Sequence, residues 1–241
     1  MCSLTGLRAG GVDRIMPFEF SHLDEDFRAT NAYLLSAKRG AGAWVWKPQI
    51  ILQAMRQADE GDIIVYSDSA TEFVGPLKGM IETCSALEHG VLGMLVGPEF
   101  RERAWTKRDL FVHLDCDQDR YWGTPQLRSG LMAIRNIPPA RQFVREWGEL
   151  TRQVRLVSDL PSICGKPELD GFIAHRHDQS IFSLLYKKRG YQTWEALSGR
   201  GLDGLAVQQI EQEPSVMACL PSYLDPRMTL RRVSPRPGKL A

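Results

Sequence analysis

The sequence predicts an α/β protein whose mixed, mostly parallel sheet is flanked by helices. Three observations predict it. The apolar run Gly61-Asp62-Ile63-Ile64-Val65-Tyr66-Ser67-Asp68 follows an amphipathic helical pattern, a second helical pattern is followed by the apolar run Val91 to Val96, and the apolar stretch 127–136 precedes a third helical pattern. Short continuous apolar runs mark strands covered on both faces, and their alternation with helices is the pattern of crossover units.

Each element has its own signal. Pro48 occupies a tolerated first-turn position, and Ile50, Ile51, Ala54, Met55 and Ala58 recur at helical spacing, so 47–59 read as a helix. The strand 61–68 then delivers a carboxylate, Asp68, at its carboxyl end, where ligands bind in open α/β sheets. Leu77 to Leu87 reads as a helix ending near His89-Gly90, and Thr106 with Asp109 has capping-box spacing before Leu110 and Phe111. Leu127 to Asn136 is a core strand stopped by Ile137-Pro138-Pro139. Ala140 to Val157 follows as a helix with Phe143, Val144, Trp147, Leu150 and Val154 on one face. Asp178 to Lys188 is a short helix with Asp178 as a candidate N-cap, Tyr191 to Trp194 reads as a closing strand, and 158–174 is a loop rich in Pro and Gly.

Composition bounds the function. The chain of 241 residues is 43% hydrophobic with a formal net charge of +1, enough apolar material for one core and no global basic excess for nucleic acid. It reads as a single unit, 1–241, with a locally basic, proline-rich tail at 225–241 carrying Arg227, Arg231, Arg232, Arg236 and Lys239. That tail is either a solvated end or an anion contact. Five cysteines without paired spacing read as free thiols in a reducing compartment. No stretch approaches the roughly 20 apolar residues of a membrane span, and the first twenty residues lack a secretory pattern. A cytoplasmic protein is expected, with a peripheral place at a membrane left open.

Three clusters could carry chemistry. Gly40-Ala41-Gly42-Ala43-Trp44-Val45-Trp46-Lys47-Pro48 joins small residues, two indoles and a lysine at a helix start, suited to an anionic, ring-bearing ligand or, equally, to anchoring a core. Asp68-Ser69-Ala70-Thr71-Glu72 offers two carboxylates for Mg2+ or Mn2+, or else Asp68 caps a turn and Glu72 faces solvent. His175-Arg176-His177-Asp178-Gln179-Ser180 is dense in polar groups at a helix mouth, and a hydrolase metal site on His175, His177 and Asp178 is its third-ranked reading.

Taken together, Trp44-Val45-Trp46-Lys47-Pro48, the strand Asp62 to Asp68, the strand Ser129-Gly130-Leu131-Met132-Ala133-Ile134-Arg135-Asn136 and His177-Asp178-Gln179-Ser180 resemble sugar-nucleotide-dependent glycosyltransferases of the GT-A type. The likeness is to the small capsular or galactosyltransferase-like branch and runs from about Gly11 to Tyr191. It implies a Rossmann-type nucleotide-binding domain and transfer of a sugar from a nucleotide diphosphate, most simply a UDP-sugar, to a glycan or other hydroxyl acceptor. It also implies Asp68 and Glu72 on Mn2+ or Mg2+, Asp178 and Gln179 as catalytic, and Trp44, Trp46, Lys47, Ser129, Gly130 and His177 at the donor along with Asp68. The Asp-x-Asp of such enzymes is absent at Asp68-Ser69-Ala70, no histidine follows His177, and the start near Gly10-Gly11-Val12-Asp13 implies that their first strand is missing. The alternative is a non-catalytic sugar or nucleotide binder of the same fold.

Overall fold

The computed structural model describes residues 2–199 and 207–209. The basic tail therefore lies outside the described residues. Among them the main elements are α1 (Trp46–Gln57), β1 (Ile63–Ser67), β2 (Thr71–Phe73), α2 (Lys78–Ala86), β3 (Val91–Leu92), α3 (Arg108–His113), β4 (Leu131–Arg135), α4 (Pro138–Thr151), α5 (His177–Lys188) and β5 (Val207–Gln209). The chain is a mixed α/β protein, as its alternating runs require.

The direction of the sheet corrects the expectation of mostly parallel pairing. Its order is β1-β4-β3, and β4 runs antiparallel to both neighbours, with Ile63 opposite Arg135, Ser67 opposite Leu131 and Val91 opposite Ile134. β1 and β3 therefore run the same way, as a helical crossover through α2 demands, but β4 is inserted between them in the opposite sense. A central antiparallel strand covered on both faces has the same continuous apolar signature as a parallel one, so composition could not distinguish them. A separate pair, β2 with β5, is also antiparallel.

Both sheet faces are buried, following the two-residue period of side chains along a strand. Tyr66, Val91, Met132 and Ile134 face a core filled by Ile51 and Met55 of α1, Phe143, Val144 and Trp147 of α4, and Phe182, Leu185 and Tyr186 of α5. Leu92, Leu131 and Ala133 face Phe73, Leu77, Trp194 and the Met80 and Cys84 side chains of α2. Burial pushes the Cys84 thiol up to about 12, which keeps it inert; Cys84, Cys116 and Cys164 are free.

Four local expectations are corrected. The helix predicted over 140–157 ends at Thr151 and resumes as a turn at Val154–Val157, because an extended Gln153 breaks it and swings Leu156 and Val157 into the core. Asp109 forms no capping box: its carboxylate accepts the amides of Ile163 and Cys164 and pairs with Arg155. Tyr191 to Trp194 is not a strand; Tyr191 stacks on His89 at 3.6 Å, and Trp194 opens the short helix Trp194–Ser198. The Val91 to Val96 strand shortens to β3, with one further bridge from Leu95 to Leu127.

Candidate active site

The antiparallel pairing of β1 with β4 assembles the site. Where β1 ends, β4 begins, so the Asp68 amide donates to the Gly130 carbonyl at 2.9 Å and the two loops cross. Lys47, in the first turn of α1, enters this crossing from the core side and is only 4% exposed. Its Nζ lies 3.2 Å from Asp68 Oδ1, 3.3 Å from Ser129 Oγ, 3.4 Å from the Ser129 carbonyl and 3.5 Å from Asp178 Oδ2. Residues 47, 68, 129 and 178, from four separate segments, thus share one polar centre inside an apolar fold.

The two carboxylates differ in solvation. Asp68 is 42% exposed and accepts a 2.6 Å hydrogen bond from Tyr66 Oη, which reaches it from two residues earlier along the strand. Asp178 is 3% exposed, and its Oδ2 accepts no hydrogen bond. Burial pushes Asp178 up to about 6 even though Lys47 and Ser129 pull it down. Burial also pulls Lys47 down, but Asp178 and Asp68 outweigh it and hold the ammonium above the usual lysine value. With both acids ionised the centre carries one cation and two anions. Gly130 makes room for it, since a Cβ there would lie 2.6 Å from Asp68 Oδ2.

Asp178 is not the N-cap of α5, which begins at His177 with Arg176 in that position and no side-chain cap. Its carboxylate turns to Lys47, while Trp147 Nε1 holds its carbonyl at 3.0 Å. Gln179 Nε2 donates to Gln126 Oε1. Glu72 stands on β2 between the buried Thr71 and Phe73, with no described ion pair to Lys47.

The glycine-rich segment serves its own indoles. Residues 40 to 44 all have positive φ, from 47° at Ala41 to 102° at Gly42, a left-handed turn that costs three non-glycine residues strain. A Cβ on Gly40 would sit 2.3 Å from the Trp44 ring, and the Gly40 carbonyl accepts Trp46 Nε1. Close backbone approach is used here to seat Trp44 and Trp46. Trp44, half-buried, packs at 5.3 Å on His177, itself at a φ of 50°. His177 Nε2 lies 3.2 Å from Asp159, whose carboxylate also meets Arg39 at 3.5 Å. Burial lowers the His177 pKa against the opposing pull of Asp159.

Both ring nitrogens of His175 are engaged by the backbone. Its Nδ1 accepts the Lys107 amide, its Nε2 binds the Leu156 carbonyl, and burial holds it well below the usual histidine range. Among the described residues no group of three or more His, Cys, Asp or Glu side chains is arranged to hold a metal. No described helix is long and apolar enough to cross a membrane. Sequence reasoning missed Tyr66 and Asp159; the alternation of β1 signals the first, and no local pattern signals the second. Compared with known proteins, the chain matches no family model, no curated protein and no solved structure.

Proposed function

We propose that the chain is a glycosyltransferase of the GT-A type that moves a sugar from a nucleoside-diphosphate donor to an acceptor hydroxyl. The observation that carries this reading is the half-exposed Asp68 carboxylate at the end of β1, backed by the buried Lys47 and Asp178. Burying a lysine between two acids carries a desolvation cost that its ion pairs and hydrogen bonds must offset, and charge clusters of this kind are found preferentially at functional sites.

The charge balance favours a cation-bridged anion. A diphosphate brought alone to a centre with two carboxylates and one ammonium meets net repulsion. A divalent cation, Mn2+ or Mg2+, on Asp68 would supply the missing positive charge and neutralise the departing diphosphate. Asp68 suits that role because part of its surface is open, and Glu72 is a second carboxylate on the following strand. The Lys47 donors are directed at Asp68 and Ser129, so Lys47 orients Asp68 and holds Asp178 behind it. Trp44 offers the half-buried ring face for a base or sugar.

The test is a panel of UDP- and GDP-sugars with Mn2+, read as nucleotide release, beside thermal shifts. A ligand at a hundred times its dissociation constant adds about 2.7 kcal/mol to stability. For Asp68→Asn the expected result is loss of metal-dependent release by at least about a hundredfold with the melting temperature kept. Mn2+-dependent binding without release identifies a binding protein of the same fold, and silence across the panel removes the transferase reading.

A further inference from the structure

A guanidinium with an unmet hydrogen bond belongs to Arg176, two residues before Asp178 and outside the set already described. Arg176 precedes His177 and Asp178 at the start of α5. Its backbone amide is fixed by the Trp105 carbonyl at 3.1 Å and Ser180 Oγ at 3.2 Å. The guanidinium carbon then lies 4.8 Å from the ring centre of Phe100 and 5.4 Å from that of Trp105. Two aromatic neighbours fix the plane of the fork and dehydrate it. Its Nη1 is buried and has no hydrogen-bond partner. A buried donor left open in this way carries its full desolvation cost, which an acceptor of matching geometry recovers.

A second arginine is tied to the same hydrogen-bonded frame. Arg128 directly precedes Ser129, and its Nε and Nη2 donate to the carbonyls of Leu95 and Val96 at 3.2 and 3.3 Å. The loop that receives it continues to Phe100, whose carbonyl accepts the Gln126 amide, while the Gln126 side chain bonds the Trp105 carbonyl and Ser180 Oγ. One hydrogen-bonded frame therefore carries both guanidinium groups.

Each guanidinium has one carboxylate near it. Burial lowers Arg128, Glu195 opposes that, and the charge of Arg176 lowers it further. Glu195 also accepts the Leu95 amide. Burial lowers Arg176 as well; Asp178 favours its charge and Arg39 opposes it. Asp178 is shared with Lys47, and Arg39 is engaged by Asp159. Two half-buried forks, one of them with an open donor, suit a tetrahedral oxyanion, which takes several N–H bonds at once.

We propose that Arg176 and Arg128 form a receptor for a phosphate group, at a distance in sequence and in chemistry from the carboxylate of Asp68. The receptor requires no transfer reaction and no divalent cation. Its place beside Asp178 would nevertheless let one diphosphate span it and a cation held at Asp68. The phosphate could come from a nucleotide or from free phosphate, and the probes below separate the two.

The experiment is calorimetric titration of the intact chain, free of divalent cations, with pyrophosphate, inorganic phosphate, UDP and uridine. Pyrophosphate is expected to bind, and to bind more weakly as salt is added. Arg176→Gln and Arg128→Gln are each expected to weaken it at least about tenfold, and Arg176→Lys, which keeps the charge and loses the fork, to weaken it as well. The binding is read without Mn2+ and without a sugar donor, so failure of the transferase reading does not imitate failure here. Tighter UDP than pyrophosphate, with no binding of uridine, assigns the phosphate to a nucleotide; equal affinity assigns it to the free anion. Absence of pyrophosphate binding overturns the proposal, and so does undiminished binding by the arginine variants. If Arg176→Gln fails to fold, Arg176→Lys and Arg128→Gln carry the same decision, with melting temperature as the control for each.

Discussion

Among the described residues, the lysine–carboxylate sets around Glu102 and around Lys47 are built to different standards. Around Glu102, which has no exposed side-chain surface, the carboxylate accepts from Thr106 and Ser183 and from Gln126 at 3.2 Å, and Lys187 closes the set at 2.6 Å. Lys187 also donates to the Pro125 carbonyl at 2.7 Å. Both oxygens of Glu102 are thus met at least twice. Around Lys47 the nearest oxygens stand 3.2 to 3.5 Å away, Asp178 Oδ2 accepts no hydrogen bond, and Asp68 opens to solvent. A satisfied network joins the turn at Glu102, the loop at Gln126 and α5 into one frame. A loosely satisfied one leaves capacity for something that is not protein.

The largest expected effect breaks the tighter set. Glu102→Ala strands a buried ammonium and three polar partners, and unfolding in urea should show a loss of about 3–5 kcal/mol. A loss below about 1 kcal/mol would erase the distinction between the two sets. Next in size is the pH dependence of the looser set. Asp178 is raised to about 6 in the folded chain, so it favours the native state while protonated. Its unfavourable contribution grows as pH rises through its unfolded value and is complete above its folded one. Asp178→Asn lacks that titration. The difference between the variant and the parent should therefore shift by about 3 kcal/mol in favour of the variant between acid and neutral pH. A pH-independent difference would show that Asp178 is already satisfied. Smallest is Gly130→Ala, whose Cβ would collide with Asp68 Oδ2 and displace it. Metal-dependent nucleotide binding should weaken about tenfold, equivalent to about 1.4 kcal/mol, while stability changes little. The opposite pattern would return Gly130 to a purely structural role.

Asp109 shows a third arrangement, and its sign is the reverse of that of Asp178. Burial raises it, but Arg155 and the Ile163 and Cys164 amides outweigh burial and bring it to about 2. Its contribution is present at neutral pH and is lost as pH falls toward that value. It anchors the 158–174 loop whose Asp159 meets His177. A capping box read from spacing alone placed this residue correctly near a helix start and missed its partners, which are 46 to 55 positions away.

Much of the secondary structure was legible because burial imposes periodicity. The apolar face of α1, the run that becomes β1 and the spacing along α4 and α5 each record contact with a core, and each lies within a few residues of its predicted limits, the end of α4 apart. Lys47, Asp68, Ser129 and Asp178 were candidates from their neighbours in sequence, and they converge. Gln179 and Trp46, chosen on the same grounds, instead bond Gln126 and Gly40. Nothing in a local pattern distinguishes these outcomes. A side chain one position along a helix points about 100° away, and which face meets the site depends on packing.

The sequence by itself determined where helices and strands form, because each is dictated by contacts within a few residues and by the apolar stripe it must bury. It also determined which acids and which lysine stand at element ends. Only the tertiary structure decided that β4 runs against β1, that Asp68 therefore meets Ser129 and Gly130, and that Arg176 and Arg128 share one frame. Strand direction and long-range charge pairing are properties of the whole packed arrangement, set by desolvation and by the hydrogen bonds that remain to be met once the core has closed.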